Sequence, residues 1–190
     1  MSTADFLLAF VGIILGLGVA DLLTSLHKLL RAGRRVKWHW ATPTLAALML
    51  LVTLVVWFRS FGALNDLRSE TLAAFLPAFV VLVLSFLMMA AALPDDVPDS
   101  GIDLEQFYFS SRIHLWSLMS ATLGGFTLLY LVKHWSIGVA PLLAIAWPTL
   151  ISFLLAVVAT LTKRMWVHAL SIAWIFTVTV ANNLFIAIGR

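Results

Sequence analysis

A lone carboxylate, Asp21, interrupts the apolar segment LGLGVADLLTSLHKLLRAGRR at residues 15–35. It lies about four residues past the middle of its run, which on a helix is ~6 Å and still within the hydrocarbon if the run crosses a bilayer. A charge near mid-membrane costs roughly 2.5 to 3.5 kcal/mol on insertion scales, so the side chain is expected to face protein and to have a partner there. On its own helix Gly18, Thr24, Ser25 and Lys28 share its face at three-, four- and seven-residue spacing. Elsewhere Arg112, His114, Arg164 and His168 stand at the start of apolar runs on the same side, and His27 is close by in sequence. Asp21, Ser25, His27, Lys28, Arg112, His114, Arg164 and His168 therefore form a candidate inner polar cluster. Imidazole titrates near neutrality, so such a cluster suits a proton- or ion-responsive gate. A structural ion pair between Asp21 and Arg112 or Arg164 accounts for the same residues without a gate.

A second polar group is expected at the other side. Asn182 and Asn183 break the apolar run TVTVANNLFIAIG, and Arg59 ends another. Adjacent amides on a helix point about 100° apart, so at least one must face protein or a wet cavity. Arg59 with Asn182 or Asn183 makes an outer polar constriction, or simply an interhelical hydrogen bond.

Other chemistries find little footing. The chain has no cysteine, which removes thiolate metal sites and iron–sulfur clusters. No two histidines sit four apart on one helix, and a bis-histidine haem needs facing histidines deep in the hydrocarbon, whereas these lie at the rims. The acidic segment DDVPDSGIDLE lacks the alternating ligands and central glycine of an EF-hand and reads as a solvated loop. No metal or cofactor is expected, and with no nucleophile–base pair or phosphate-binding glycine loop an enzyme is not expected either.

These residues have to be positioned by membrane helices. Of 190 residues 62% are hydrophobic and 11% charged, against about 25% charged in an ordinary soluble domain. Six apolar runs, at residues 6–28, 42–62, 72–93, 115–132, 137–161 and 165–188, approach the ~20 residues that a helix needs to cross a ~30 Å core. The expected fold is all-α: a polytopic helical bundle of about six spans, forming a single domain over 1–190. The polar connection at 94–114 ends in an interfacial helix start, because Asp103 followed by Gln106 resembles a capping box and places a helix N-terminus near Leu104. The N-terminal run lacks a basic leader and a small-x-small cleavage pattern and is read as a mature span.

Basic residues in the loops set the orientation. Lys28, Arg31, Arg34, Arg35, Lys37, Arg112, Lys163 and Arg164 fall on one side and Arg59, Arg68, Lys133 and Arg190 on the other. Eight against four puts the first loop in the cytoplasm and both termini outside. The basic loop at 28–37 is then an orientation signal that also meets anionic lipid, and nucleic acid is not an expected partner. Trp38, Trp40, Trp57, Trp116, Trp135 and Trp166 mark run ends, as headgroup anchors do.

Close helix packing in lipid relies on small residues four apart. Gly12, Gly16 and Ala20 on the first helix, Ser117, Ala121 and Gly125 on the fourth, and Ala169, Ala173, Thr177 and Ala181 on the sixth form such stripes. They make those three helices the expected inner bundle, with a homo-oligomer interface as the alternative use, and leave the second and third facing lipid. Pro77 and Pro148 fall inside spans and are expected to bend them. The second and fifth runs share Pro-Thr-Leu, which raises a 3+3 inverted repeat.

Through LGLGVADLLTSLHKLLRAGRR and DLEQFYFSSRIHLW the chain resembles a loose group of small uncharacterised bacterial inner-membrane proteins with about six helices. The resemblance implies a bacterial cytoplasmic membrane and brings no activity or site residue. The functional expectation is a channel or carrier for an ion, proton or small solute. The competing class is a non-transporting membrane subunit or sensor that acts by helix association with partner chains.

Overall fold

Apolar segments that must pair every backbone N–H and C=O internally fold as helices. The computed structural model describes residues 3–65 and 71–184, and six α-helices make up nearly all of them. They are α1 (Thr3–Ala32), α2 (Ala41–Asn65), α3 (Leu72–Ala90), α4 (Leu104–Lys133), α5 (Val139–Leu161) and α6 (Met165–Asn183). Five of these, all but α5, carry a stretch long and apolar enough to cross a membrane; in α5 the corresponding stretch is Ala146–Leu161. Single 3₁₀ turns follow α1 and α4, and two-residue strands β1 (Val36–Lys37) and β2 (Ile102–Asp103) interrupt two of the loops.

The N-terminus of α4 forms where its cap demands. Asp103 Oδ1 accepts from the backbone N–H of Glu105 at 2.9 Å and of Gln106 at 3.2 Å, so the helix begins at Leu104 as expected from sequence. From there α4 runs unbroken into the apolar segment as a single helix of 30 residues.

Each helix packs through a stripe of buried residues. On α1 these are Val11, Leu15, Gly18, Leu22, Ser25 and Leu29, spaced alternately by three and four. This stripe meets α2 and α3. Around the bundle, α3 packs on α4, α4 on α5, α5 on α6 and α6 on α2, while α2 also touches α3 and α4. Half of the α2 span is buried, against 22% of the α1 span. The expected inner bundle of first, fourth and sixth helices is thus corrected: α2 is the most enclosed element, because its large apolar residues Leu45, Leu48, Met49, Val52 and Val56 fill the centre.

The glycine and alanine stripes explain that correction. Gly16, Ala20, Ala121 and Ala173 are exposed, as are Ser117, Thr177 and Ala181; Gly12 and Ala169 are only half-buried. Gly125 is the stripe member that does bring helices together, since a Cβ there would come within 2.7 Å of Val81 Cγ2 on α3. Gly18 of α1, outside those stripes, lies tight against Met89 and Phe86 of α3. Pro43 stands in the first turn of α2 whereas Pro148 lies well inside α5, so the shared Pro-Thr-Leu does not superpose the two helices.

The loops between α1 and α2 and between α3 and α4 are fastened to each other. Val36 pairs with Ile102 and Lys37 with Asp103 in a parallel two-stranded ladder. Gly101 makes the approach possible: its φ is +86°, and a Cβ on it would stand 2.5 Å from the Arg35 carbonyl oxygen. The acidic loop is therefore docked on the basic one, with Asp96 and Asp99 still open to solvent as expected. Lys28 Nζ bonds Asp96 at 3.0 Å and the Asp95 carbonyl at 2.7 Å, Arg35 bonds Asp99 at 3.1 Å and Lys37 bonds Asp103 at 2.7 Å.

Candidate functional site

The loop clasp holds the N-terminus of α4 beside the loop between α5 and α6, and there the fold encloses polar side chains. Tyr108, Arg112 and Trp116 recur every four residues on α4 and so occupy one face. That face looks inward: Tyr108 and Trp116 are fully buried and Arg112 is 7% exposed. Opposite them His168, in the first turn of α6, is also fully buried.

These groups form one directed chain of hydrogen bonds. The Thr162 carbonyl can only accept, so the His168 Nε2 that lies 3.1 Å from it carries the hydrogen. In the neutral ring Nδ1 is then an acceptor, and the Tyr108 hydroxyl donates to it over 2.8 Å. The phenol oxygen in turn accepts from Trp116 Nε1 at 3.0 Å. Three aromatic rings of α4 enclose the imidazole, with centroids 5.4 Å (Tyr108), 5.6 Å (Trp116) and 6.1 Å (Phe109) away. Ser171, one turn further along α6, donates to Val167 O at 2.8 Å and shares a longer 3.3 Å contact with Leu155 O of α5. A protonated imidazole would need a second acceptor in place of Nδ1, so the arrangement is built around the neutral ring.

Arg112 departs from this economy. It lies near enough for its charge to act on both Tyr108 and His168, yet its Nε and Nη1 are buried without a hydrogen-bond partner. Among the described residues no carboxylate pairs with it.

The expected inner cluster is thus only partly assembled. Arg112 and His168 do meet, but His27, His114 and Arg164 are exposed on the outside of the bundle. Asp21 is half-buried on the flank of the α1 stripe and, among the described residues, has neither hydrogen bond nor ion pair. Its expected pairing with Arg112 or Arg164 is corrected on geometric grounds: α1 packs on α2 and α3, whereas Arg112 stands on α4 near enough to His168 for its charge to act there. Thr24 bonds its own helix at Ala20 O, and Lys28 reaches the acidic loop, so neither serves the carboxylate. Ser25 is buried in the α1 stripe.

Sequence reasoning overlooked Tyr108 and misplaced Trp116, which is a core residue and not a headgroup anchor. The signal was available in the four-residue spacing of Tyr108, Arg112 and Trp116. Trp38, Trp40, Trp57, Trp135 and Trp166 are exposed; all but Trp57, which lies within α2, stand at or beside helix ends.

At the opposite end the outer pair is assembled. Arg59 Nε donates to Asn183 Oδ1 at 2.7 Å, joining α2 to α6, while Asn183 Nδ2 donates to Thr179 O at 2.7 Å. Asn182 points outward. Beside the pair a cleft of about 260 Å³ runs between α2 and α6, lined by Leu51, Val55, Phe58 and Val180 among others. Among the described residues no group of three His, Asp or Glu side chains converges as a metal site would require.

Comparison with models of protein families, with curated proteins and with solved structures finds no match to the chain.

Proposed function

We propose that the chain is a six-span protein of a bacterial cytoplasmic membrane, with both termini outside, that conducts or carries a small solute, an ion or protons. The observation that carries this reading is Arg112: a guanidinium withdrawn from water beside the Tyr108–His168 pair, with two donors unused. A bundle that needed only to hold its shape would gain by an apolar residue there, since an unpaired buried charge destabilises a fold. Retaining one favours a centre that meets something passing or binding, as ionisable residues within membrane bundles commonly do. The placement supports a cytoplasmic gate, because the three loops that gather at this end hold eight of the chain's twelve basic residues with Arg112 counted among them. In this reading Asp21 stands one helix away as an accessory polar group, and the Arg59–Asn183 pair forms the outer constriction.

The membrane-subunit reading is favoured by a different observation. Gly16, Ala20, Ala121, Ala173, Thr177 and Ala181 present small side chains outward, where they suit close approach of helices from other chains, including copies of this one.

Flux into proteoliposomes separates the two. Protons, potassium, chloride, phosphate and small carboxylates are offered in turn to wild type, Arg112→Gln and Asp21→Asn. The transport reading expects flux of at least one solute in wild type and a fall of about tenfold in Arg112→Gln, the size of one lost charge-assisted contact. If none crosses above the empty-liposome rate, transport is abandoned. Because the chain has no cysteine, Ala173→Cys then gives a clean cross-linking probe of association through α6.

A further inference from the structure

Arg112 is a charge whose counterion the protein does not supply. Its Nε and Nη1 are sealed from solvent and unbonded, and the residue as a whole is 7% exposed. Of the acidic residues at this end, Asp96 pairs with Lys28, Asp99 with Arg35 and Asp103 with Lys37, and Glu105 of α4 is exposed and forms no ion pair with Arg112. Tyr108, Trp116 and His168 satisfy one another, so none of them accepts from the guanidinium. An acceptor from outside the chain is the remaining partner for this guanidinium, and the edges on which it can offer two N–H groups side by side to an oxyanion are those that include Nη2.

Two further features favour negative charge at this place. The N-cap of α6, Arg164, makes no side-chain cap, so the start of the helix that carries His168 keeps the positive end of its dipole uncapped, with Val167 N–H bonded to the Arg164 carbonyl. Lys163 and Arg164 add exposed positive charge on the same loop. The depth is informative as well. Arg112 lies eight residues into α4, about 12 Å from the water-exposed clasp and just before the continuous apolar run from Leu115. In the membrane placement proposed above, this start of the apolar run falls near the headgroup level.

We infer that Arg112 anchors a binding site for a phosphate-class oxyanion, between the N-terminal turns of α4 and α6. The ligand is either the phosphodiester of an anionic lipid or soluble phosphate. The inference rests on the membrane placement proposed above and names the ligand class of that same centre. It is read by binding, so a protein that binds and passes nothing overturns only the transport reading. A protein that transports without binding phosphate in either form overturns only this one.

The test uses the delipidated full-length chain in neutral detergent. One arm titrates inorganic phosphate by calorimetry; the other measures retention of phosphatidylglycerol against uncharged diacylglycerol by native mass spectrometry. Binding is expected in at least one arm, and the arm that responds identifies the source. Arg112→Gln should weaken it roughly tenfold or more, while Arg34→Gln, which removes an exposed charge on the same side, should leave it within about twofold. If Arg112→Gln does not fold, Arg112→Lys keeps the charge but loses the two-point fork and should still bind measurably less tightly than wild type. The site is refuted if wild type binds in neither arm, if both Arg112 variants bind as wild type does, or if Arg34→Gln weakens binding as much as Arg112→Gln.

Discussion

Tyr108 and His168, sixty residues apart in the chain, share a buried hydrogen bond of 2.8 Å that ties the first turns of α4 to the first turn of α6. The phenol stands in the middle of a chain of donors, receiving from Trp116 and giving to the imidazole, which gives to Thr162. Removing its oxygen therefore orphans two buried groups at once. Tyr108→Phe keeps the ring and its packing, so the loss isolates the hydrogen bonds. Buried groups left unsatisfied cost about 1–3 kcal/mol, and membrane proteins fall at the lower end of that range. Thermal unfolding in detergent should show a clear loss for Tyr108→Phe. A variant as stable as wild type would mean that the chain of bonds does not hold the two helices together.

Helix contacts give a second prediction, and one that reverses the sequence-based expectation. A methyl group at Gly125 would press on Val81, whose branched side chain has little freedom to move aside. Gly125→Ala should destabilise by about 1–3 kcal/mol, the usual cost of overpacking. Gly16 has nothing within reach of an added Cβ, so Gly16→Ala should be neutral or slightly stabilising, within about 1 kcal/mol from helix propensity. Unfolding in a graded denaturing detergent ranks them, and equal effects at the two sites would refute the packing seen at Gly125.

How far the sequence carried the reading is clear from these residues. Hydropathy located the helices, and the Asp103 cap located the α4 start, because both are local signals. The choice of packing face was not legible. In lipid an apolar residue is equally at home outside or inside, so hydrophobic periodicity loses its sign and a stripe such as Gly16–Ala20 can face either way. Asp21 drew attention as the rare charge, yet its neighbours depend on which helices adjoin, and α1 does not adjoin α4 over any extended contact. The Arg59–Asn183 pair was legible because each residue is the unusual polar group at its helix end, and both ends lie on one side.

The clasp between the loops should respond to pH at both extremes. Lys37, by its hydrogen bond and charge, holds the Asp103 carboxyl below the usual carboxylate range, and the backbone N–H of Gln106 adds to this. Asp103, by the same hydrogen bond and charge, holds the Lys37 ammonium above the usual lysine value. A lowered carboxyl pKa contributes stability that is present above the ordinary carboxylate range and lost as pH falls through the folded value. A raised lysine pKa contributes below 10.5 and is lost as pH rises through the folded value. The clasp should thus be tightest across the neutral range and loosen in acid and strong base. Lys37 is exposed and Asp103 partly so, and high salt should therefore weaken the clasp too. Amide exchange at residues 101–106, compared at equal chemical exchange rates, checks this. Asp103→Asn should lose the acid dependence while keeping the helix cap, and Asp103→Ala should lose both and exchange faster still. Exchange that is the same in all three proteins would rule the clasp out as a determinant of the α4 start.

The outer pair allows a comparison of neighbours. Asn183 accepts from Arg59 on α2 and donates back to Thr179 on its own helix, so its amide is used at both ends. Asn182, one residue away, is turned some 100° around the helix and is exposed. Interhelical hydrogen bonds in membrane bundles average about 0.6 kcal/mol and reach about 1.7, and the charged donor here favours the upper part of that span. Asn183→Leu should accordingly lower stability by about 1 kcal/mol or more, since it also leaves the Arg59 Nε without its acceptor. Asn182→Leu should change stability little, or raise it where the site meets lipid. A double-mutant cycle with Arg59→Met isolates the pair: its coupling energy should be favourable for Asn183 and near zero for Asn182. Coupling of equal size at both asparagines would show that Arg59 moves between them, and the fixed junction of α2 with α6 would have to be given up.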